Sequence, residues 1–129
     1  MKLLLDTHIW IWSLQASARL GKRAAREIKN PENELWISPV STWEALTLKS
    51  KGRIRLPDDI SAWVAHATAH FQEAPLTHEI ALAASRLPWS HKDPADRFLA
   101  ATAQVLRLTL VTADAILLGL GDISTLANR

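Results

Sequence analysis

The chain has 129 residues and a formal net charge of +2, and 48% of its residues are hydrophobic and 22% are charged, which is the composition of an ordinary globular domain with a sizeable core. It has no cysteine, so disulfides and thiolate metal sites are excluded and a cytoplasmic location is expected. The apolar stretch at the N-terminus contains Asp6 and His8 and is too short to cross a bilayer, so we expect a single domain over residues 1–129 without a membrane segment.

The first half of the chain alternates between strand and helix patterns. Residues 2–5 (KLLL) predict a buried strand of a parallel sheet, because they are apolar on both faces. Asp6 follows the strand and can cap a helix that begins near His8. Further elements are predicted at residues 17–30 (helix), 34–38 (strand) and 39–52 (helix), with Pro39 in the first turn of the last helix and Gly52 at its end.

The second half continues the alternation. Asp58-Asp59 and Thr77 each precede a helix pattern, and Asp114 stands just beyond a strand pattern. The predicted elements are a helix at 60–71, a weak strand at 72–76, a helix at 78–87, a loop at 88–94, a helix at 96–108, a strand at 109–112, a short helix at 115–119 and a last strand at 122–125. This alternation indicates an α/β fold with a mainly parallel central sheet of about four or five strands flanked by helices.

Four acidic residues stand where they could meet at one edge of the sheet. Asp6 and Asp114 follow strands, and sites in open α/β sheets form at the carboxyl ends of strands. Glu44 lies in an apolar helix, and Asp96 lies in the first turn of a long one. Helix capping alone could explain the aspartates, and a solvated helix face could explain Glu44. Four converging carboxylates would repel one another, and oxygen ligands favour Mg²⁺ or Mn²⁺ over zinc.

Three segments carry a resemblance to a known family: LLLDTHIWIW, SPVSTWEALTLKSKGRIRL and HKDPADRFLAATAQVLRLTLVTAD. Together with the chain length, they resemble the PIN-domain family, and most closely the VapC-like toxins of type II toxin–antitoxin modules. The resemblance extends from residue 1 to about residue 123. The main departure is Thr102, which stands where relatives often carry Gln.

The resemblance implies a PIN-like α/β domain that hydrolyses RNA phosphodiester bonds with Mg²⁺ or Mn²⁺. Its implied ligands and catalytic residues are Asp6, Glu44, Asp96 and Asp114. Thr112 matches a hydroxyl that supports the site in the family, and Asp93 matches a cap or supporting residue. Glu44 would either bind a second ion or orient the attacking water, and both roles stay open. The resemblance also implies a cognate antitoxin as partner and a homodimer or a toxin–antitoxin hetero-oligomer.

Basic residues lie close to the acidic ones in the sequence. If metal offsets four carboxylates, the remaining surface is more basic than the net charge of +2 suggests, which suits a polyanionic substrate. The segment KSKGRIR at residues 49–55 is basic, and Lys92 and Arg97 flank the Asp-Pro-x-Asp motif. An equally reasonable interpretation of KSKGRIR is a solvated helix end, because basic side chains favour the C-terminal helix dipole.

The segment from Ile9 to Trp12 predicts a helix that is apolar all round. Such a helix is either buried in the core or in contact with a partner along one side. Tryptophan is a frequent interface anchor, and the chain contains six. We therefore expect a dimer built partly on this segment, with a contribution from Trp43 or Trp63.

Three other functions compete with the nuclease. A receiver-type signalling domain needs a phosphoacceptor Asp after a middle strand and a Lys after a later one, and neither is present in the expected place. A phosphatase with a nucleophilic Asp needs a second Asp two residues later, where this chain has His8. A non-catalytic RNA- or protein-binding module with a PIN-like fold stays open, because only a test of activity distinguishes it.

Overall fold

The computed structural model describes residues 1–88 and 93–129, and its centre is a parallel β-sheet. In the described residues the sheet has five strands in the order β3-β2-β1-β4-β5, and every pairing is parallel. The strands are β1 (Lys2–Leu5), β2 (Glu34–Ile37), β3 (Gln72–Glu73), β4 (Thr109–Thr112) and β5 (Ser124–Ala127). The predicted fold class is therefore confirmed.

Helices connect the strands and cover both faces of the sheet. They are α1 (Thr7–Leu14), α2 (Lys22–Lys29), α3 (Pro39–Ser50), α4 (Ile60–Ala67), α5 (His78–Arg86), α6 (Pro94–Leu106) and α7 (Ala115–Leu118). Within the described ranges, no helix is long and apolar enough to span a membrane.

The three leucines of β1 explain why this strand lies at the centre of the sheet. Leu3, Leu4 and Leu5 are all fully buried. Because successive side chains of a strand point to opposite faces, Leu3 and Leu5 join the core cluster that contains Trp10, whereas Leu4 joins the cluster that contains Leu99. Burial on both faces is what the continuous apolar run predicts.

The second helix is shorter than predicted. It begins at Lys22 rather than at residue 17. The residues at the end of the chain determine this start: Asn128 Oδ1 accepts a hydrogen bond from Gly21 N at 2.7 Å, and Arg129 O accepts hydrogen bonds from Arg23 N at 2.7 Å and Ala24 N at 3.1 Å. These contacts satisfy amide groups that a longer helix would have used internally.

Other boundaries also differ from the prediction. Helix α6 begins at Pro94, because Asp93 caps it, and helix α4 ends at Ala67 rather than at residue 71. Strand β3 has only two residues, and β5 lies two residues later than predicted. The predicted loop at 88–94 falls largely on residues 89–92. These residues, which include Lys92, lie outside the described part of the chain.

The expectation that α1 presents a partner surface is wrong for most of the Ile9–Trp12 segment. Ile9 and Trp10 are fully buried and Ile11 nearly so, while Trp12 is half-buried. Trp10 Nε1 donates a hydrogen bond to Ala67 O at 3.2 Å. The Trp10 ring also lies 5.4 Å from the ring of Trp63 between centroids. Ile9, Trp10 and Ile11 are buried because α1 packs on α3 and β4, and Trp10 also contacts α4, whereas His8 on the same helix stays exposed.

Candidate functional site

Five carboxylates line one cleft of about 440 Å³ at the carboxyl ends of β1 and β4. They belong to Asp6, Glu44, Asp93, Asp96 and Asp114. The wall is completed by His8, Ile9, Trp12, Arg19 and Ala113. The cleft thus brings together the four predicted ligand residues and the predicted supporting residue Asp93.

Asp6 reaches the cleft because the register of the sheet places it beside β4. Leu5 pairs with Val111, and Asp6 N donates to Val111 O at 3.0 Å. Asp6 Oδ1 caps α1 by accepting a hydrogen bond from Thr7 N at 2.8 Å, and Asp6 Oδ2 accepts one from Thr112 Oγ1 at 2.7 Å. Burial raises the pKa of Asp6, and the bond from Thr112 is the largest opposing effect.

Thr112 joins the two aspartates that follow the central strands. Its hydroxyl donates to Asp6 and accepts a hydrogen bond from Asp114 N at 3.0 Å, so one fully buried side chain orients both residues. Asp114 Oδ1 caps α7 by accepting from Ile116 N at 2.8 Å and Leu117 N at 3.2 Å. Within the described part of the chain, these capping bonds all use Oδ1, which leaves Asp114 Oδ2 available to the cleft.

Glu44 is held by a hydroxyl pair that connects α1 to α3. Thr7 Oγ1 donates a short hydrogen bond to Glu44 Oε1 and lies 3.0 Å from Ser41 Oγ. A hydroxyl has one proton, so when Thr7 donates to Glu44, the Ser41 hydroxyl donates to Thr7. Burial raises the pKa of Glu44; the Thr7 bond opposes this, and the charges of Asp93 and Asp6 add to the increase.

The first turn of α6 supplies the remaining two acids. Asp93 Oδ1 caps the helix by accepting a hydrogen bond from Ala95 N at 3.0 Å, and Asp96 is buried with 9% of its surface exposed. Arg97 turns towards α5, where its Nη2 donates to Ala84 O at 2.6 Å and Leu87 O at 3.3 Å. Arg97 therefore connects α6 to α5 by hydrogen bonds to the backbone.

Comparison with known proteins identifies the family. The model of the PIN domain family matches residues 3–121. The chain belongs to the PIN-domain family. Ribonuclease VapC22 of Mycobacterium tuberculosis is 33% identical to it over 112 residues, which cover 86% of this chain and 85% of the relative. The predicted resemblance to VapC-like proteins is thus confirmed.

Solved structures share the fold of this PIN domain. VapBC2 from Rickettsia felis, bound to a DNA fragment from its promoter, aligns over 100% of both chains with a TM-score of 0.73 and 12% identity. VapBC-1 from nontypeable Haemophilus influenzae aligns over 98% of both chains with a TM-score of 0.71 and 18% identity. A toxin–antitoxin complex from Klebsiella pneumoniae aligns over 98% of both chains with a TM-score of 0.67 and 22% identity.

The donor set of the PIN-domain cleft suits a hard divalent cation. Its acids provide oxygen ligands only, and the raised pKa values of Asp6 and Glu44 reflect burial together with neighbouring negative charge. Among the residues that the structure describes, no three Asp, Glu or His side chains already form a group that could hold one ion.

Two residues of the site were not predicted from the sequence. Thr7 directly follows the N-cap residue Asp6, and Ser41 lies one helical turn before Glu44 on the same face of α3. Both are buried polar residues, but a single sequence does not show burial. The departure at Thr102 does not affect the cleft, because its hydroxyl donates to Phe98 O at 2.6 Å inside α6.

Proposed function

We propose that this PIN-domain protein is a metal-dependent endoribonuclease that hydrolyses RNA phosphodiester bonds and is the toxin component of a toxin–antitoxin pair. The observation that carries the proposal is the convergence of five carboxylates in one cleft at the carboxyl edge of the sheet. Its identity of 33% with Ribonuclease VapC22 supports the choice of RNA as substrate. We take residues 1–129 as one functional domain.

The proposed ligands of Mg²⁺ or Mn²⁺ are Asp6, Glu44, Asp96 and Asp114. When bound, such an ion lowers the pKa of a water molecule and offsets the charge of the phosphate. Thr112 orients Asp6, and Thr7 orients Glu44. Glu44 serves as a ligand or as the group that orients the attacking water, and Asp93 supports the site by capping α6.

The proposed partner is a cognate antitoxin. The support is that structures with the same fold include toxin–antitoxin complexes. We expect the protein to act in the cytoplasm, as a homodimer or as a hetero-oligomer with its antitoxin. Light scattering on the purified chain and on the chain co-expressed with the adjacent gene product tests this. A monomer of 14.3 kDa in both preparations contradicts it.

Cleavage of RNA in the presence and absence of metal tests the activity. The wild-type chain should cleave RNA with Mg²⁺ or Mn²⁺, lose the activity in EDTA and regain it when metal is returned. Asp96→Asn should be inactive, because it removes a proposed ligand from the cleft. Asp122→Asn is the matched control, because Asp122 is an exposed acid that does not line this cleft.

Two results contradict the proposal. One is cleavage that persists unchanged in chelator, and the other is equal activity of Asp96→Asn and Asp122→Asn. RNA binding without cleavage under every metal condition would instead support a non-catalytic RNA-binding module.

A further inference from the structure

A second cleft of about 600 Å³ adjoins the acidic one. The two clefts share His8, Trp12 and Arg19, which therefore lie at their junction. Arg53 and Arg55 line the second cleft only, and both are exposed. We call this cleft the basic groove, defined by Arg19, Arg53 and Arg55 with the shared rings of His8 and Trp12.

The end of α3 holds the two arginines in place. Gly52 has a φ of 71°, a conformation that glycine adopts without strain. Gly52 N donates to Lys49 O and Arg53 N donates to Leu48 O, both at 2.9 Å, which is the Schellman arrangement that ends a helix. Ile54 packs against the core between the two arginines. Hydrogen bonds therefore fix the backbone at Gly52 and Arg53, and core packing of Ile54 holds the segment between the two arginines.

The shared wall of the two clefts carries an aromatic pair. His8 and Trp12 lie one helical turn apart on α1, and their ring centroids are 5.8 Å apart at an angle of 51°. His8 is exposed, whereas Trp12 packs partly against the core. An exposed ring supported by a second one can stack with a nucleobase, and stacking of this kind tolerates any base.

The two clefts carry opposite charges, acidic at the proposed metal site and basic in the groove beside it. The acidic cleft repels a phosphate chain unless metal is bound, so a strand that reaches it needs an attractive surface nearby. The basic groove provides three guanidinium groups next to the aromatic pair, and Arg19 contacts both clefts. Guanidinium groups bind phosphate in a bidentate manner, and rings accept unstacked bases.

We propose that the basic groove binds single-stranded RNA beside the phosphate to be cleaved. Arg53 and Arg55 bind backbone phosphates, and the pair formed by His8 and Trp12 stacks with a base. The proposal rests on the proposed function, because it extends the path of the same substrate. Paired RNA fits less well, because its bases are already stacked within the duplex.

Binding of a fluorescent single-stranded RNA of about twelve nucleotides, measured by anisotropy in an Asp96→Asn background, tests the phosphate contacts. Arg53→Ala with Arg55→Ala should raise Kd by about tenfold or more and reduce the salt slope of log K by about 0.7 for each lost contact. The matched control is Lys2→Ala with Arg107→Asn. It removes the same charge at the opposite edge of the sheet, and asparagine tolerates the left-handed φ of 55° at residue 107. This control should change Kd by less than about threefold.

Substitution of His8 tests the stacking contact separately. His8→Ala should raise Kd by about fivefold with no change of the salt slope, and His8→Phe should restore binding. A duplex RNA of the same length should bind more weakly than the single strand. A single-stranded DNA probe has the same phosphate groups but lacks the 2′-hydroxyl. Equal binding of DNA and RNA would mean that the groove contacts the phosphate backbone and the bases, whereas weaker binding of DNA would mean that it contacts the ribose as well. Either result supports the groove.

Three outcomes overturn the proposal, and a fourth leaves it standing while the proposed function fails. If the groove variant and the control variant change Kd equally, Arg53 and Arg55 do not bind phosphates. If the groove variant no longer captures the antitoxin but binds RNA as the wild type does, the groove binds the protein partner instead. If the wild type cleaves RNA while the groove variant keeps its Kd and its KM, the groove fails and the proposed function stands. If the wild type cleaves no RNA but the binding pattern is observed, the groove stands and the proposed function fails.

Discussion

At the scale of single residues, Asp6 shows how the fold accommodates a carboxylate in an apolar segment. It directly follows three buried leucines and accepts two hydrogen bonds, one from the Thr7 amide and one from the Thr112 hydroxyl. These bonds do not fully compensate for burial, since the pKa of Asp6 is still raised. Metal-free protein therefore contains a carboxylate whose ionised form is destabilised by folding.

This gives the metal-free protein a defined pH dependence. A raised pKa means that the folded state binds more protons than the unfolded state, so the free energy of unfolding decreases as pH rises from about 4 through the folded-state pKa values of Asp6 and Glu44. Asp6→Asn removes the contribution of Asp6. In urea denaturation with EDTA, the mutant should gain stability relative to the wild type as pH rises from about 4 to 7. A constant difference across this range would mean that Asp6 ionises without a folding penalty.

The hydroxyl of Thr112 is the second residue-scale test. Thr112→Val keeps the shape of the side chain but removes the donor to Asp6 and the acceptor for Asp114 N. RNA cleavage should decrease by about 10- to 100-fold, as is typical when a residue that orients metal ligands is replaced. Thr112→Ser keeps the hydroxyl and should retain most activity. Equal activity of the Val and Ser variants would exclude the orienting role.

Asp6 and Asp114 could be expected to lie close together because each follows a strand of a parallel sheet, and the carboxyl ends of such strands share one edge. The bond between Thr7 and Glu44 could not be predicted, since it joins residues 37 positions apart and depends on how α1 packs on α3. Local sequence periodicity contains no information about that packing. Likewise, the proximity of Arg19 to the acids depends on a turn that the sequence pattern misassigned to a helix.

At the scale of elements, Gly21 explains the late start of α2. A Cβ atom at this position would lie 2.0 Å from the carbonyl carbon of Arg129, which is far inside contact distance. Gly21→Ala should therefore lower the free energy of unfolding by about 1–3 kcal/mol, because the backbone must move to relieve the overlap.

Gly121→Ala is the matched control for Gly21→Ala. A Cβ atom at Gly121 meets nothing within 4 Å, so this variant should stay within about 0.5 kcal/mol of the wild type. Urea denaturation measures both variants, and hydrogen exchange should become faster at residues 127–129 in Gly21→Ala alone. Equal stabilities of the two variants would show that the segment at residues 128–129 does not limit the start of α2.

At the scale of the whole molecule, the parallel sheet was predictable because its inner strands are apolar on both faces. The same reasoning failed for Ile9–Trp12. Apolar residues on all sides of a helix indicate contact all round, but they do not distinguish a protein core from a partner. Trp43 was predicted to contribute to a partner surface, and its side chain remains accessible in the fold, with 65% of its surface exposed.

The carboxylates of the cleft are proposed to hold a divalent cation, and a thermal melt of wild type and Asp6→Asn with EDTA and with Mn²⁺ tests this binding. Asp122→Asn serves as the control. At a hundredfold excess over Kd, Mn²⁺ should stabilise the wild type and the control by about 2.7 kcal/mol. Asp6→Asn should melt at or above the wild type in EDTA, since it removes a buried charge, and should lose most of the Mn²⁺ shift. Equal Mn²⁺ shifts in the wild type and in Asp6→Asn would contradict the assignment of Asp6 as a ligand.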